Sequence, residues 1–242
     1  ASHPPQGKKG GPEMTFFENS VFFGVAVSLV SYGLGVLIQS KRKSALFNPL
    51  LLAILLTILL LVVTGIDYDV YYDGAQYLSY LLTPATVCLA VPLYEKLSLL
   101  RRNFLAISLG IASGVATTIL CVLAMGSIFG FDHAEYVTFL PKSITTAIGM
   151  GVSEELGGYV TLTVAVIIIT GLMGNIVAPG LCRLFRITDP IAKGIAIGTS
   201  AHAMGTARAM EMGETEGAMS SLSIVVSGIL TVIAATIVAQ YV

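Results

Sequence analysis

From Leu50 to Val63 the chain is almost entirely leucine, isoleucine and valine, and from Ser221 to Val242 it carries no charged residue. Runs of this kind leave few folds open. About 20 mainly apolar residues cross the hydrocarbon core of a bilayer as a helix. Backbone N–H and C=O groups placed there must be satisfied within the protein, which restricts the chain to helices or a closed barrel. The runs are continuous rather than alternating, and that selects helices. A mean hydropathy of +0.85 with 11% charged residues lies outside the range of soluble domains. The expected fold is an all-α polytopic protein embedded in the lipid bilayer. A formal net charge of −1 without a basic stripe gives no reason to expect nucleic acid as a partner.

Membrane segments are expected at residues 17–39, 46–66, 77–94, 104–129, 139–152, 159–181, 191–210 and 218–242, giving seven to eight in one integral membrane unit. Residues 1–13 are polar and rich in Gly and Pro, and are expected to be a disordered leader ahead of a native start at Met14. With no Trp, the tyrosines at 68, 71, 72, 77 and 80 are the expected interfacial anchors. Cys88, Cys121 and Cys182 have neither metal spacing nor a disulfide pattern. No HExxH-type motif or catalytic constellation occurs, so neither an enzyme nor a cofactor or metal site is expected.

Two apolar segments are interrupted in a matching way. Leu82-Thr83-Pro84-Ala85-Thr86-Val87-Cys88-Leu89-Ala90-Val91-Pro92 and Gly198-Thr199-Ser200-Ala201-His202-Ala203-Met204-Gly205-Thr206-Ala207-Arg208 both bring small and polar residues into apolar ground. Paired interruptions at corresponding positions of two halves point to a transporter binding site. An offset of 116 residues, the separation of Thr83 from Thr199, aligns the segments of residues 14–130 with those of 131–242. Lys41-Arg42-Lys43 and Lys96 with Arg101-Arg102 read as cytoplasmic loops. The Asp67/Asp69/Asp73 stretch between them reads as an external loop. In the second half the signs reverse, with Arg183 and Arg186 against Glu211, Glu214 and Glu216. This pattern predicts two inverted repeats. Inversion needs an odd number of crossings per repeat, so the short segment 139–152 is expected to be re-entrant or to cross only partly.

Ionisable and polar groups inside a membrane are costly and therefore functional candidates. Arg208 either grips a carboxylate bidentately or snorkels to the interface and pairs with Glu211. His202 and Thr206, four apart, share a helix face with Thr199 and Ser200 nearby. Thr83, Pro84, Ala85 and Thr86 occupy the corresponding place in the first half. Lys142, Ser143, Thr145 and Thr146 follow Pro141 and form either an anion cradle at a helix start or a plain cap with an interfacial lysine. Glu154 and Glu155 either couple protons or mark a wet helix end. Asn175 lines a cavity or bonds across helices. Gly110/Gly114, Ala201/Gly205 and Gly205/Ala209 have the spacing of close helix packing.

Pro141–Thr146, Glu154-Glu155-Leu156-Gly157-Gly158, Thr188-Asp189-Pro190-Ile191-Ala192-Lys193-Gly194, the run Gly198–Ala209 and Gly213-Glu214-Thr215-Glu216-Gly217-Ala218 together resemble the LrgB/CidB family. Thr83-Pro84-Ala85-Thr86 with Val91-Pro92-Leu93-Tyr94 is similar to its first-half motif, and Ala147 stands where many relatives carry proline. The resemblance covers residues 14–242. It implies a multi-pass protein of the bacterial inner membrane with a smaller LrgA/CidA-type membrane partner. Members of the family are described as holin- or antiholin-like regulators of murein hydrolases and lysis, and others as carriers of small carboxylates, as in the plastid glycolate/glycerate translocator. Paired broken helices bearing His and Arg suit a carrier of two- to three-carbon hydroxy- or oxo-carboxylates, such as pyruvate, glycolate or glycerate, working by alternating access. A lysis regulator acting with its partner is the alternative. The Leu-rich stretch Leu50–Val63 suits a scaffold and a homodimer contact.

Overall fold

The computed structural model describes residues 20, 22–41, 47–88 and 90–242. All regular structure among them is helical: α1 (Phe23–Lys41), α2 (Pro49–Thr64), α3 (Tyr68–Ser79), α4 (Leu82–Cys88), α5 (Ala90–Glu95), α6 (Leu97–Arg102), α7 (Phe104–Phe129), α8 (His133–Phe139), α9 (Thr146–Leu156), α10 (Val160–Leu184), α11 (Pro190–Met212) and α12 (Glu214–Val238). The described residues form two compact units, divided between Thr86 and Val87.

Four of the described helices, α1, α7, α10 and α12, are long and apolar enough to cross a membrane. This is a membrane protein, with fewer spans by length and composition than the seven to eight segments expected. α2 has only 16 residues. Segment 77–94 divides at a turn at Tyr80–Leu81 into the end of α3 and the short α4 and α5, while Leu89 lies outside the described residues. Segment 139–152 is a turn followed by α9, whose 11 residues reach about 16 Å at 1.5 Å per residue, half a bilayer core. The expected leader and the basic residues Arg42 and Lys43 lie outside the described residues.

In the first unit, Asn48 caps α2 by accepting from the N–H groups of Leu50 and Leu51, and Gly65 closes it at φ 67°. No residue of α2 is buried. The stretch expected to be an acidic loop is a helix instead. Asp67 occupies the N-cap of α3 and Asp69 its first turn, where carboxylates favour the positive end of the helix dipole. Ser28 Oγ lies 2.7 Å from the Tyr71 hydroxyl, tying α1 to α3.

The core of the second unit is built on α7. Ile107, Ile111, Val115, Ile119 and Val122 recur at helical spacing and are buried with Val137, Leu140, Met219 and Ala235. A reciprocal capping box between Asp132 and Glu135 opens α8. Thr163 Oγ1 donates to Ser153 Oγ at 2.7 Å, and the Tyr159 N–H donates to Thr138 Oγ1 at 2.8 Å. These hydroxyls link α8, α9 and α10 where apolar side chains alone would specify no register.

Candidate functional site

Asp189 opens α11 by accepting the Ala192 N–H at 2.9 Å, with Pro190 at the first helical position, where its missing donor costs nothing. Twelve residues later the helix breaks at His202, whose backbone adopts φ 41° and ψ −139°. For a residue with a side chain such geometry costs about 1–3 kcal/mol and persists only where its surroundings enforce it.

The chain reverses direction at this point. In a straight helix, residues eight apart lie about 12 Å apart. Here a Cβ on Gly205 would lie 2.5 Å from Ala201 Cβ and 2.9 Å from Ile197 Cγ2. Contacts with α12 give the sense of each leg. In the first leg, Gly194 abuts the Glu216 carbonyl and Gly198 abuts Ser220 and Ser223, so leg and helix run parallel. In the second, Thr206 bonds Ser220 and Met210 abuts Gly217, so they run antiparallel. α11 is a re-entrant hairpin with His202 at its tip. The expected crossing at 191–210 is thereby corrected: small residues at 194, 198 and 205 let two short legs pack together and against α12. The expected sidedness falls with it, because the Arg183/Arg186 loop and the Glu211–Glu216 region flank the base of one hairpin and share a face.

α10 holds the tip. His202 Nε2 lies 3.0 Å from the Ile167 carbonyl; a carbonyl only accepts, so Nε2 carries the proton. Gly171 makes room for the ring, since a Cβ there would lie 2.6 Å from His202 Cε1. Asn175 Nδ2 donates to the Met204 carbonyl at 2.7 Å. Thr206 Oγ1 donates to the His202 carbonyl at 3.0 Å, leaving Ser220 to donate to Thr206 across 2.7 Å. Side chains thus bond the backbone around the turn, as a break at membrane depth requires.

Beside the first leg lies a cavity of about 380 Å³. Lys142, Thr170 and Ser200 are its polar lining groups, and Leu181, Phe185, Ile187 and Ile197 are among its apolar walls. Lys142 Nζ donates to the buried Ser143 Oγ at 3.2 Å. The Ser200 hydroxyl donates to the Ala196 carbonyl at 2.6 Å and keeps its lone pairs available. Thr199 faces the opposite side, where a second hollow of about 480 Å³ runs between α7 and α11 past Asn103, Ser113 and Asp189.

The fold therefore brings together Lys142 and Ser200 at one cavity, with Ser143 bonded to Lys142, and Asn175, His202 and Thr206 around the neighbouring tip. Other expected residues stand elsewhere. Arg208 pairs with Glu211 on the second leg. Thr145 and Thr146 begin α9 and are not among the residues lining the cavity. Glu154 and Glu155 are exposed at the end of that helix. Pro84 and Ala85 are exposed in α4, and the side chains of Thr83 and Thr86 lie outside the described residues. Sequence reasoning missed Thr170, Lys193, the buried Glu216 and the buried hydroxyls Ser220, Ser223, Ser227 and Thr231. The hydroxyl spacing of three and four residues along an apolar helix was the available signal.

A family model described as the LrgB-like family matches residues 28–241. This chain belongs to the LrgB-like family. Among its relatives are proteins named antiholin-like protein LrgB from Bacillus cereus (strain B4264) and Bacillus anthracis (strain A0248). Each is 36% identical over 213 residues, covering 88% of this chain and 93% of the relative. No solved structure matches significantly. The LrgB-like match takes in the whole hairpin, its support on α10 and the Lys142 cavity.

Proposed function

We propose that this LrgB-like protein is a secondary carrier of small carboxylates with two or three carbons, acting in the bacterial inner membrane. The observation that carries the reading is the cavity at which Lys142 meets Ser200 beside a re-entrant hairpin. An ammonium answers the carboxylate, and the Ser200 and Thr170 hydroxyls answer a hydroxy or oxo group. Of the two residues expected as counter-charge, Arg208 and Lys142, this reading takes Lys142, since Arg208 pairs with Glu211. Alternating access fits an element that enters and leaves on one face.

The test is uptake of labelled pyruvate, glycolate and glycerate into proteoliposomes holding the full chain, beside Lys142→Ala. Saturable uptake that the variant lowers at least about ten-fold, the cost of one charge-assisted bond, is expected. Leak of unrelated solutes without saturation would sink the carrier. The relatives' name, antiholin-like, favours a second reading: a regulator of murein hydrolases and lysis that acts through an LrgA/CidA-type partner. That reading expects no saturable flux from the chain alone, and co-purification with such a partner.

A further inference from the structure

Glu216 lies in the first turn of α12 and is 8% exposed. Its Oε1 is 3.6 Å from Lys193 Nζ at the base of the first hairpin leg, a side chain itself 22% exposed. A buried carboxylate is expensive unless compensated, and one ion partner at that distance compensates it only in part. Space for the pair comes from Gly213 and Gly194, where a Cβ would strike the Glu216 carboxylate and its carbonyl respectively. From Glu216 the same face of α12 continues through Ser220, Ser223, Ser227 and Thr231, all buried. At 1.5 Å per residue this polar row runs about 22 Å, most of the thickness of a bilayer core. It passes the hairpin at Thr206, which bonds Ser220, and extends beyond the level of the tip.

Few other charges bear on Glu216. On α11, Arg208 and Glu211 are paired with each other. α5 contributes Glu95, which is exposed, and Lys96 beyond it pairs with Glu214 at 3.1 Å. α7 carries no charged residue, and the acidic residues of α9, Glu154 and Glu155, are exposed. Among the described residues Lys193 is the ion partner of Glu216.

We propose that Glu216 is the proton-binding site of the carrier, with Lys193 as its exchangeable counter-ion. This rests on the carrier reading above. One proton adds to a Glu216 oxygen from water on one face, the Lys193 ammonium swings out to solvent, and the proton leaves on the other face after the substrate anion has moved. One proton thus accompanies one carboxylate.

The experiment measures carboxylate accumulation in proteoliposomes with and without an acid-outside pH gradient, subtracting uptake by protein-free vesicles. Counterflow exchange at equal pH is measured beside it. For one-to-one coupling, accumulation by the unchanged chain rises about ten-fold per pH unit of gradient, since one unit is about 1.4 kcal/mol. Glu216→Gln should lose that rise while exchange persists. The double variant Lys193→Met/Glu216→Gln removes both charges, so no lone buried ion is left to unfold the hairpin, and it should behave likewise. No exchange by the unchanged chain brings down the carrier reading and this one together. Exchange that ignores the gradient overturns only the proton site. So does a gradient response that survives in either variant, or exchange abolished in both while they remain folded.

Discussion

α7 and α11 are long helical segments of one unit, 26 and 23 residues, yet they meet the membrane problem in opposite ways. α7 runs unbroken and buries Ile107, Ile111, Val115 and Ile119 along one stripe, with Leu105, Leu109 and Leu120 exposed on the other faces. α11 buries Thr199, His202 and Thr206 and doubles back at His202. What separates them is where backbone can approach backbone. A Cβ on Gly110 of α7 would meet nothing nearer than the Ile195 side chain at 3.4 Å, an ordinary contact. On α11 the same atom would strike backbone at Gly194 and Gly198. An apolar helix needs only a stripe, whereas a hairpin at membrane depth needs glycines where legs meet and side chains that answer the opened backbone.

That contrast can be broken directly. Gly198→Val should be the most damaging change, at about 3 kcal/mol or more, because the Ser220 carbonyl is fixed in a helix and cannot yield. Gly110→Ala should cost under about 1 kcal/mol, and thermal unfolding in detergent compares the two. If they cost the same, the hairpin is not held by close approach. Lys142→Ala should weaken carboxylate binding about 10- to 100-fold with the fold intact, as loss of a charge-assisted bond implies. Leu120→Ala, on the exposed face of α7, should leave binding unchanged, and both are read by concentration-dependent uptake. Asn175→Ala should cost about 1–2 kcal/mol by leaving the Met204 carbonyl short of a donor, seen as a lowered Tm. Arg208→Ala should do least, at about 0–1 kcal/mol, because its pair with Glu211 is partly exposed and screened. A large loss of uptake there would return Arg208 to the substrate site.

The long helices of the second unit are legible in the amino-acid sequence. α7 occupies the predicted residues 104–129, and α10 and α12 lie within a few residues of theirs, because long apolar runs and glycine or proline boundaries are local signals. The interruption at Gly198–Arg208 is visible for the same reason. Its consequence is not. A reversal at His202 depends on Gly205 meeting Ile197, a contact that no window of hydropathy contains. Lys142, in the turn before α9, and Ser200, on the first leg, reach one cavity only through the tertiary fold. Glu216 reads as a loop residue because Glu211 and Glu214 surround it, and its burial comes from Gly194 and Lys193 on another element. The Asp67–Asp73 stretch misleads because acidic residues suggest a loop by composition, while their position at a helix start is favourable.

The returning path of α11 also governs orientation. α10 ends and α12 begins at the base of the same hairpin, so these two helices traverse the bilayer in opposite directions although 29 residues (185–213) separate them. Reporter groups placed in the 185–189 loop and at Gly213 would therefore emerge into one compartment. A label at the hairpin tip would be sheltered from reagents confined to either.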